Sequence, residues 1–326
     1  MTVPQPDRGD PTPSEPDMSH FHGLAMPLLK RGLPVTPVQL ENAGLPGYLD
    51  SFRLLVMSYQ GQKPLTPDVH PALAAWVRRG GTLVFADDDS HPYLKVREWW
   101  NTHPLHFATP RTHLFESLGW VAPASTSSVE TQDIGQGHVT FIRENPVRFA
   151  NSAEGHDRYL TLIRAAAGQA GIPWQETNHF ILRRGPYLIA AGLKDSIVAP
   201  APVLTGRFIN LFDPALRLQT RLEVQPDARF FLIDLNAVKL PADPAKPHLL
   251  ASACRALPQP QPGPAAWRIE GIAETPAIVL LSSPRPPTRI TLDGEPLETF
   301  TYDSTEKLLH LHFPNTSAPR TLTVEL

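Results

Sequence analysis

Residues 53–89 constrain this chain more than any other stretch. They run Arg-Leu-Leu-Val-Met-Ser-Tyr, then a segment with Val69, Leu73, Trp76 and Val77 at helical spacing. Arg78-Arg79-Gly80-Gly81, the apolar run Thr82–Ala86 and three aspartates follow. Two apolar runs joined through an amphipathic helix predict a parallel β-α-β unit, because parallel strands need a crossover and a helix supplies it. Residues 53–58 are almost uniformly apolar, as in a strand covered on both faces. Thr66-Pro67 marks the helix start, with Pro71 placing its regular part after one loose turn, and the glycine pair ends it. The unit places the first domain among open α/β sheets, whose ligands sit outside the carboxyl ends of the strands.

Around this unit the sequence predicts a helix over 20–31, ended by Gly32, and a short edge strand over 34–40. A helix near 111–118, a hairpin turning at Gly135-Gln136-Gly137 into strand 139–143, and a helix over 157–170 complete the domain. From about residue 179 the apolar period changes from 3.6 to 2. Runs at 179–183, 186–191, 208–211, 218–224, 230–235, 267–269, 277–281, 289–292, 308–313 and 321–326 read as short strands, with Asp293-Gly294 as a hairpin turn. Short strands at this spacing predict a β-sandwich. The fold class is therefore α/β, an open sheet followed by an all-β sandwich region.

Proline sharpens the boundaries. The chain holds 37 in 326 residues, about twice the usual share of roughly 5%. They cluster in the first 16 residues, over 241–264 and at Pro284, Pro286 and Pro287. Proline lacks an N–H and fixes φ, so these clusters suit a tail, a linker-like segment and a loop. The expected organisation is a disordered tail over 1–18, an α/β domain over 19–178 and a β-sandwich region over 179–326, with a sub-boundary near 258.

Charge and cysteine content narrow the function classes. A net charge of −3 gives no basic field for nucleic acid and no polybasic membrane patch. No apolar run approaches a spanning helix, and residues 1–17 have no apolar core of a secretory signal, which favours a cytoplasmic protein. Cys254 is the lone cysteine, so no intramolecular disulfide and no multi-cysteine metal site exists.

The order of parts resembles the non-catalytic carboxyl-terminal half of bacterial glycoside hydrolases of the family 42 β-galactosidase type. The residues that carry the resemblance are the helix-Gly-Gly-strand unit from Trp76 to Ala86 and the Gly135–Gly137 hairpin, followed by the β region. The resemblance implies a flavodoxin-like, class I glutamine amidotransferase-like open sheet that trimerises, then a β-sandwich. It implies partners as well: further copies of the chain, or a catalytic (β/α)8 barrel domain or chain. That barrel is missing from the sequence, and so is the first strand of the α/β domain. The expectation is a fragment of a longer product, or a chain whose missing strand comes from a partner.

Candidate chemistry is sparse. An amidotransferase nucleophile sits on a glycine-flanked strand-to-helix turn. Cys254, in Leu-Ala-Ser-Ala-Cys-Arg, has no such setting, and there is no Gly-x-Ser-x-Gly elbow. Asp87, Asp88 and Asp89 follow a buried strand where open sheets bind ligands, and oxygen-rich clusters suit Mg²⁺ or Ca²⁺. A solvated loop or helix cap is weighed above a metal site there. Tyr93, Trp99 and Trp100 fit an aromatic platform for a carbohydrate ring or, preferred here, an anchor against another domain or subunit. His103, His106 and His113, and His310 with His312, are read as surface or core residues, and Arg183-Arg184 as a basic turn. The reading is therefore a non-catalytic assembly module needing no metal and no cofactor. The alternatives are a carbohydrate-binding module and, last, a glycosidase using acids such as Asp87 with Glu98.

Overall fold

The computed structural model describes residues 15–121, 127–239, 245–260 and 262–326. Two compact units divide the chain. The first comprises Met1–Asn178 and Leu193–Ala199, the second His179–Gly192 and Pro200–Leu326. The first 14 residues of the expected tail lie outside the described residues.

In the first unit, α1 (Glu15–Leu29) precedes β1 (Leu54–Met57), α2 (Val69–Arg78) and β2 (Thr82–Ala86). Then come α3 (Pro110–Leu118), β3 (Val129–Ile134), β4 (Gly137–Ile142), α4 (Val147–Asn151) and α5 (Ala153–Gln169). The sheet order is β1-β2-β4-β3, with β1, β2 and β4 parallel and β3 an antiparallel edge. The β-α-β unit read from residues 53–89 is therefore present. Helices cover both faces. One core joins Leu73 and Val77 of α2, Leu114 and Leu118 of α3, and Leu83, Phe85 and Phe141 of the sheet. The other joins Leu28 of α1, Phe149 of α4, Tyr159 and Ile163 of α5, and Val84, Ala86 and Ile142.

Local chemistry explains the element ends. In α2, Pro71 falls within the first turn, where its missing donor has no intrahelical acceptor to lose, so the helix begins at Val69. Thr109 caps α3 by accepting the Thr112 N–H, and Gly119 ends the helix at φ 77°. At the β3–β4 turn only Gly135 needs a positive φ, of 65°. Gly137 is required by contact instead: a Cβ there would lie 2.1 Å from the Val77 carbonyl oxygen and 2.3 Å from that of Gly81.

Two expectations fail in this unit. Residues 34–39 form no strand, because Pro34 and Pro37 remove donors that a ladder would need. β1 is an edge strand, and its four residues are only half-buried, whereas all five of β2 are buried. The first helix also starts earlier than residue 20, at Glu15, and runs through Pro27.

The second unit is all β. Its strands are β5 (His179–Arg184), β6 (Tyr187–Gly192), β7 (Val203–Asn210), β8 (Leu218–Glu223), β9 (Arg229–Asp234), β10 (His248–Ser252) and β11 (Arg255–Gln259). They continue with β12 (Ala265–Glu270), β13 (Pro276–Ser282), β14 (Arg289–Leu292), β15 (Glu295–Pro296), β16 (Phe300–Asp303), β17 (Leu308–Pro314) and β18 (Arg320–Glu325). Three sheets result, ordered β5-β6-β9-β7-β8, β10-β13-β17-β16 and β11-β12-β18-β14-β15.

The middle sheet of this unit is covered twice. Ala277, Val279 and Leu281 of β13 pack against Trp267, Ile269, Leu322 and Val324 of the β11–β15 sheet. Ile278 and Leu280 face Ile209 and Ile233 of the β5–β9 sheet. The β-sandwich is thus present, with a further sheet on its back. The linker-like reading of 241–264 is corrected, since β10 and β11 fall inside it. Both are edge strands, where a proline such as Pro258 costs the ladder nothing on its open side. Residue 258 lies within the β11–β12 hairpin.

Candidate functional site

The polar residues of the first unit converge where β1, β2 and β4 end. Asp87 follows the last residue of β2, and its backbone N–H donates to the Ile142 carbonyl at 3.0 Å, continuing the ladder one residue beyond β2. The carboxylate is 2% exposed. It accepts from the Tyr59 N–H (3.0 Å), from Gln60 Nε2 (2.7 Å) and from the Asp89 N–H (2.7 Å). Burial pushes the Asp87 carboxyl above its ordinary value, against the pull of the Asp89, Gln60 and Tyr59 hydrogen bonds.

The two neighbouring acids are held as firmly. Gln60 Nε2 also donates to Asp88 Oδ1 at 2.7 Å, and that oxygen caps the Ser90 N–H at 3.1 Å. Asp89 sits at φ 54° and is clasped by Arg111, whose Nε lies 3.1 Å from both carboxylate oxygens. The Arg111 guanidinium in turn lies over the rings of Phe115 and Phe141, at 5.1 and 4.9 Å. From the end of β4, Asn145 Nδ2 reaches Gln60 Oε1 and Ser90 Oγ, each at 3.4 Å. The three aspartates therefore cap and brace the loop: Asp87 and Asp88 share the Gln60 Nε2 donor, and Asp89 is turned to Arg111.

Beside them lies a second set of groups, of which the sequence reading omits Lys63 and His70. Lys63 Nζ is buried without a hydrogen bond among the described residues, 5.8 Å from the centre of the Tyr93 ring. Burial lowers its pKa to about 8, with the Asp87 charge acting in the opposite direction. His70, fully buried on α2, places Nε2 2.7 Å from the Tyr59 hydroxyl and Nδ1 2.6 Å from His113 Nδ1. Only one proton fits between the two Nδ1 atoms, so the two rings cannot both be doubly protonated. Burial, reinforced by His113, lowers the His70 pKa to about 3.

The aromatic loop closes over this set. Trp99 donates from Nε1 to the Pro64 carbonyl at 2.8 Å and meets His70 edge-on. Tyr93 donates its hydroxyl to Glu98 Oε1 at 2.6 Å. Trp100 stands perpendicular to Trp99, at 5.5 Å, and is 1% exposed, so it presents no face to a ligand. Tyr93 keeps an open side, at 39% exposure.

Elsewhere, chemistry is quiet. Cys254 Sγ lies 3.0 Å from Ser252 Oγ, and burial pushes its thiol up, the opposite of activation. Arg183 pairs with Asp234 at 2.9 Å inside one sheet. His310 and His312 occupy the same side of β17, and burial lowers the His310 pKa. Among the described residues, no three His, Cys, Asp or Glu side chains are placed to hold a metal ion. No described helix is long and apolar enough to cross a membrane.

The acids and the aromatic loop were visible as an acid run and a tryptophan pair. Gln60 and Lys63 carry a weaker signal, the polar run Gln60-Gly61-Gln62-Lys63 directly after an apolar strand. His70 carries none, since it stands among apolar residues at helical spacing.

No family model matches the chain, and no curated protein matches its sequence. The solved structures similar to it include glycoside hydrolases. A β-galactosidase from the haloarchaeon Halorubrum lacusprofundi matches with a TM-score of 0.36 and 17% identity, over 68% of this chain and 37% of that one. A β-galactosidase from Bacillus circulans sp. alkalophilus gives 0.37 and 11%, over 69% and 39%. A rhamnosidase from Novosphingobium sp. PP1Y gives 0.24 and 11%, over 79% and 28%. The chain thus spans less than two fifths of these neighbours' lengths, and TM-scores this low carry no argument about its activity.

Proposed function

We propose that this chain is a non-catalytic assembly and accessory module of a glycoside hydrolase-like protein, binding further copies of itself or a catalytic barrel. The glycoside hydrolase context rests on the order of parts in the sequence, read as an amidotransferase-like variant of the flavodoxin-like sheet followed by β layers. The observation that carries the assembly role is an apolar patch on the second unit. Tyr187, Ile189 and Phe212 are 41, 44 and 64% exposed and group around Phe231. Contiguous exposed apolar surface of this kind marks interaction sites.

The non-catalytic half of the proposal draws on the aspartates at the sheet's carboxyl edge, which are engaged by the chain's own groups. Asp87 has three internal donors and Asp89 is clasped by Arg111. Sedimentation and turnover assays test the two halves separately. The expected result is an assembly larger than the 36.0 kDa chain, loosened by Ile189→Lys with Phe212→Ser, and no turnover of aryl glycosides or glutamine. Turnover that Asp87→Asn abolishes would overturn the first-named role, as would a chain that stays monomeric at high concentration and ignores a cognate barrel. A tryptophan-fluorescence shift with an oligosaccharide panel would instead favour sugar binding at Tyr93 and Trp99.

A further inference from the structure

β1 has an open side. The Arg53 carbonyl accepts from the Thr82 N–H, which turns residues 53, 55 and 57 toward β2 and the backbone groups of Leu54 and Val56 away from it. Among the described residues no strand pairs with that outer side. Such groups in an apolar setting call for partners. The side chains tell the same story. Leu54 and Val56 pack on the core of α1 and α5, Leu55 and Met57 on the core of α2, and all four remain half-buried.

A groove of about 750 Å³ follows this edge. Its walls come from both cores, Leu28 and Ile163 on one side and Leu49 and Leu73 on the other, and from the chain's own segment over 33–41, which lines the groove without pairing with β1 as a strand. It therefore lies in the plane of the sheet, between the two helical layers, where a next strand would run. At the end where β1 finishes, the groove is bordered by Lys63, whose buried Nζ has no hydrogen bond among the described residues.

We infer that this groove receives one further strand from a partner polypeptide: an apolar segment of about five residues, parallel to β1 and followed by an acidic residue that pairs with Lys63. Its backbone satisfies Leu54 and Val56. Its alternate side chains enter the two cores, so it must be apolar on both faces. The direction follows that of β1, β2 and β4, which run parallel, and a parallel strand brings its carboxyl-terminal residue to Lys63. The inference deepens the assembly reading by naming one surface and the chemistry of its occupant. It stands apart from the patch around Phe231.

The test uses the full chain and a synthetic peptide, acetyl-Arg-Val-Ile-Val-Val-Ile-Asp-amide, with binding read by calorimetry and by amide hydrogen exchange over 54–57. The expected result is binding with protection of the Leu54 and Val56 amides. Replacing the peptide's aspartate with asparagine, or Lys63→Met in the protein, weakens binding about tenfold, and N-methylation along the pairing edge abolishes it. Equal binding of the N-methylated peptide would overturn the inference in favour of a groove for any apolar molecule. Strong protection of those amides in the free protein at high concentration, lost on dilution, would overturn it in favour of a second copy. Failure of the unmodified peptide to bind would also overturn it. None of these outcomes bears on turnover, so failure here and failure of the non-catalytic reading are distinguishable.

Discussion

His70 and Asp87 both hydrogen-bond to Tyr59 and respond to acid with opposite signs. The folded His70 pKa, near 3, lies below its ordinary 6.5. The unfolded chain therefore takes up the proton first, and stability present at pH 7 drains away as pH falls from about 6.5 toward 3. Asp87 is held above its ordinary value, so acidification through that raised value adds stability instead. The His70 displacement drives the loss. By pH 5 it removes about 2 kcal/mol. Urea denaturation from pH 7 to pH 5 should show that loss in the wild-type chain and a much flatter profile in His70→Asn; equal slopes would assign the acid sensitivity to another group. Glycines give a second residue-scale contrast. Gly137→Ala forces a Cβ onto two carbonyl oxygens and should cost about 3 kcal/mol. Gly168→Ala, inside α5 with open space around it, should stabilise by about 0.5–1 kcal/mol. At this scale the sequence displays acids and tryptophans, which stand out against their neighbours. A buried histidine at helical spacing looks like any core position, and a lysine acquires its character only when the fold buries its amine.

Elements differ in how openly they announce themselves. β2 and β13 are nearly continuous apolar runs in the sequence, and both prove to be covered on two faces. β1 has the same composition and is an edge, because composition reports the burial a strand can accept and pairing depends on which strands are present. β10 and β11 are hidden by the prolines around them, since an edge strand tolerates what a central one does not. The double coverage of β13 has a measurable consequence. Leu280 is fully buried against the β5–β9 sheet, so Leu280→Ala should cost about 2–5 kcal/mol in chemical denaturation. His312→Ala, on an exposed position of neighbouring β17, should stay within about 0.5 kcal/mol. A small effect at Leu280 would mean that the β5–β9 sheet does not press on β13 in solution.

At the scale of the whole molecule, the apolar period changes near residue 179, and the chain divides into two units with 193–199 in the first. What the sequence leaves out is how many β layers follow, because alternation says that a strand has a buried face and leaves open which sheet buries it. Each unit has hydrophobic clusters of its own: Leu73 and Phe85 belong to one of the first unit, Leu311 and Leu322 to one of the second. Cooperativity follows shared burial, so the units should melt as separate transitions. Differential scanning calorimetry of the full chain should resolve two. Leu73→Ala should lower one of them and leave the other in place, while Leu311→Ala should do the reverse. The strand peptide, binding beside β1, should raise only the transition that Leu73→Ala lowers, by the mass-action stabilisation any native-state ligand gives. A single transition, moved by both substitutions and by the peptide alike, would show that the two units unfold as one body.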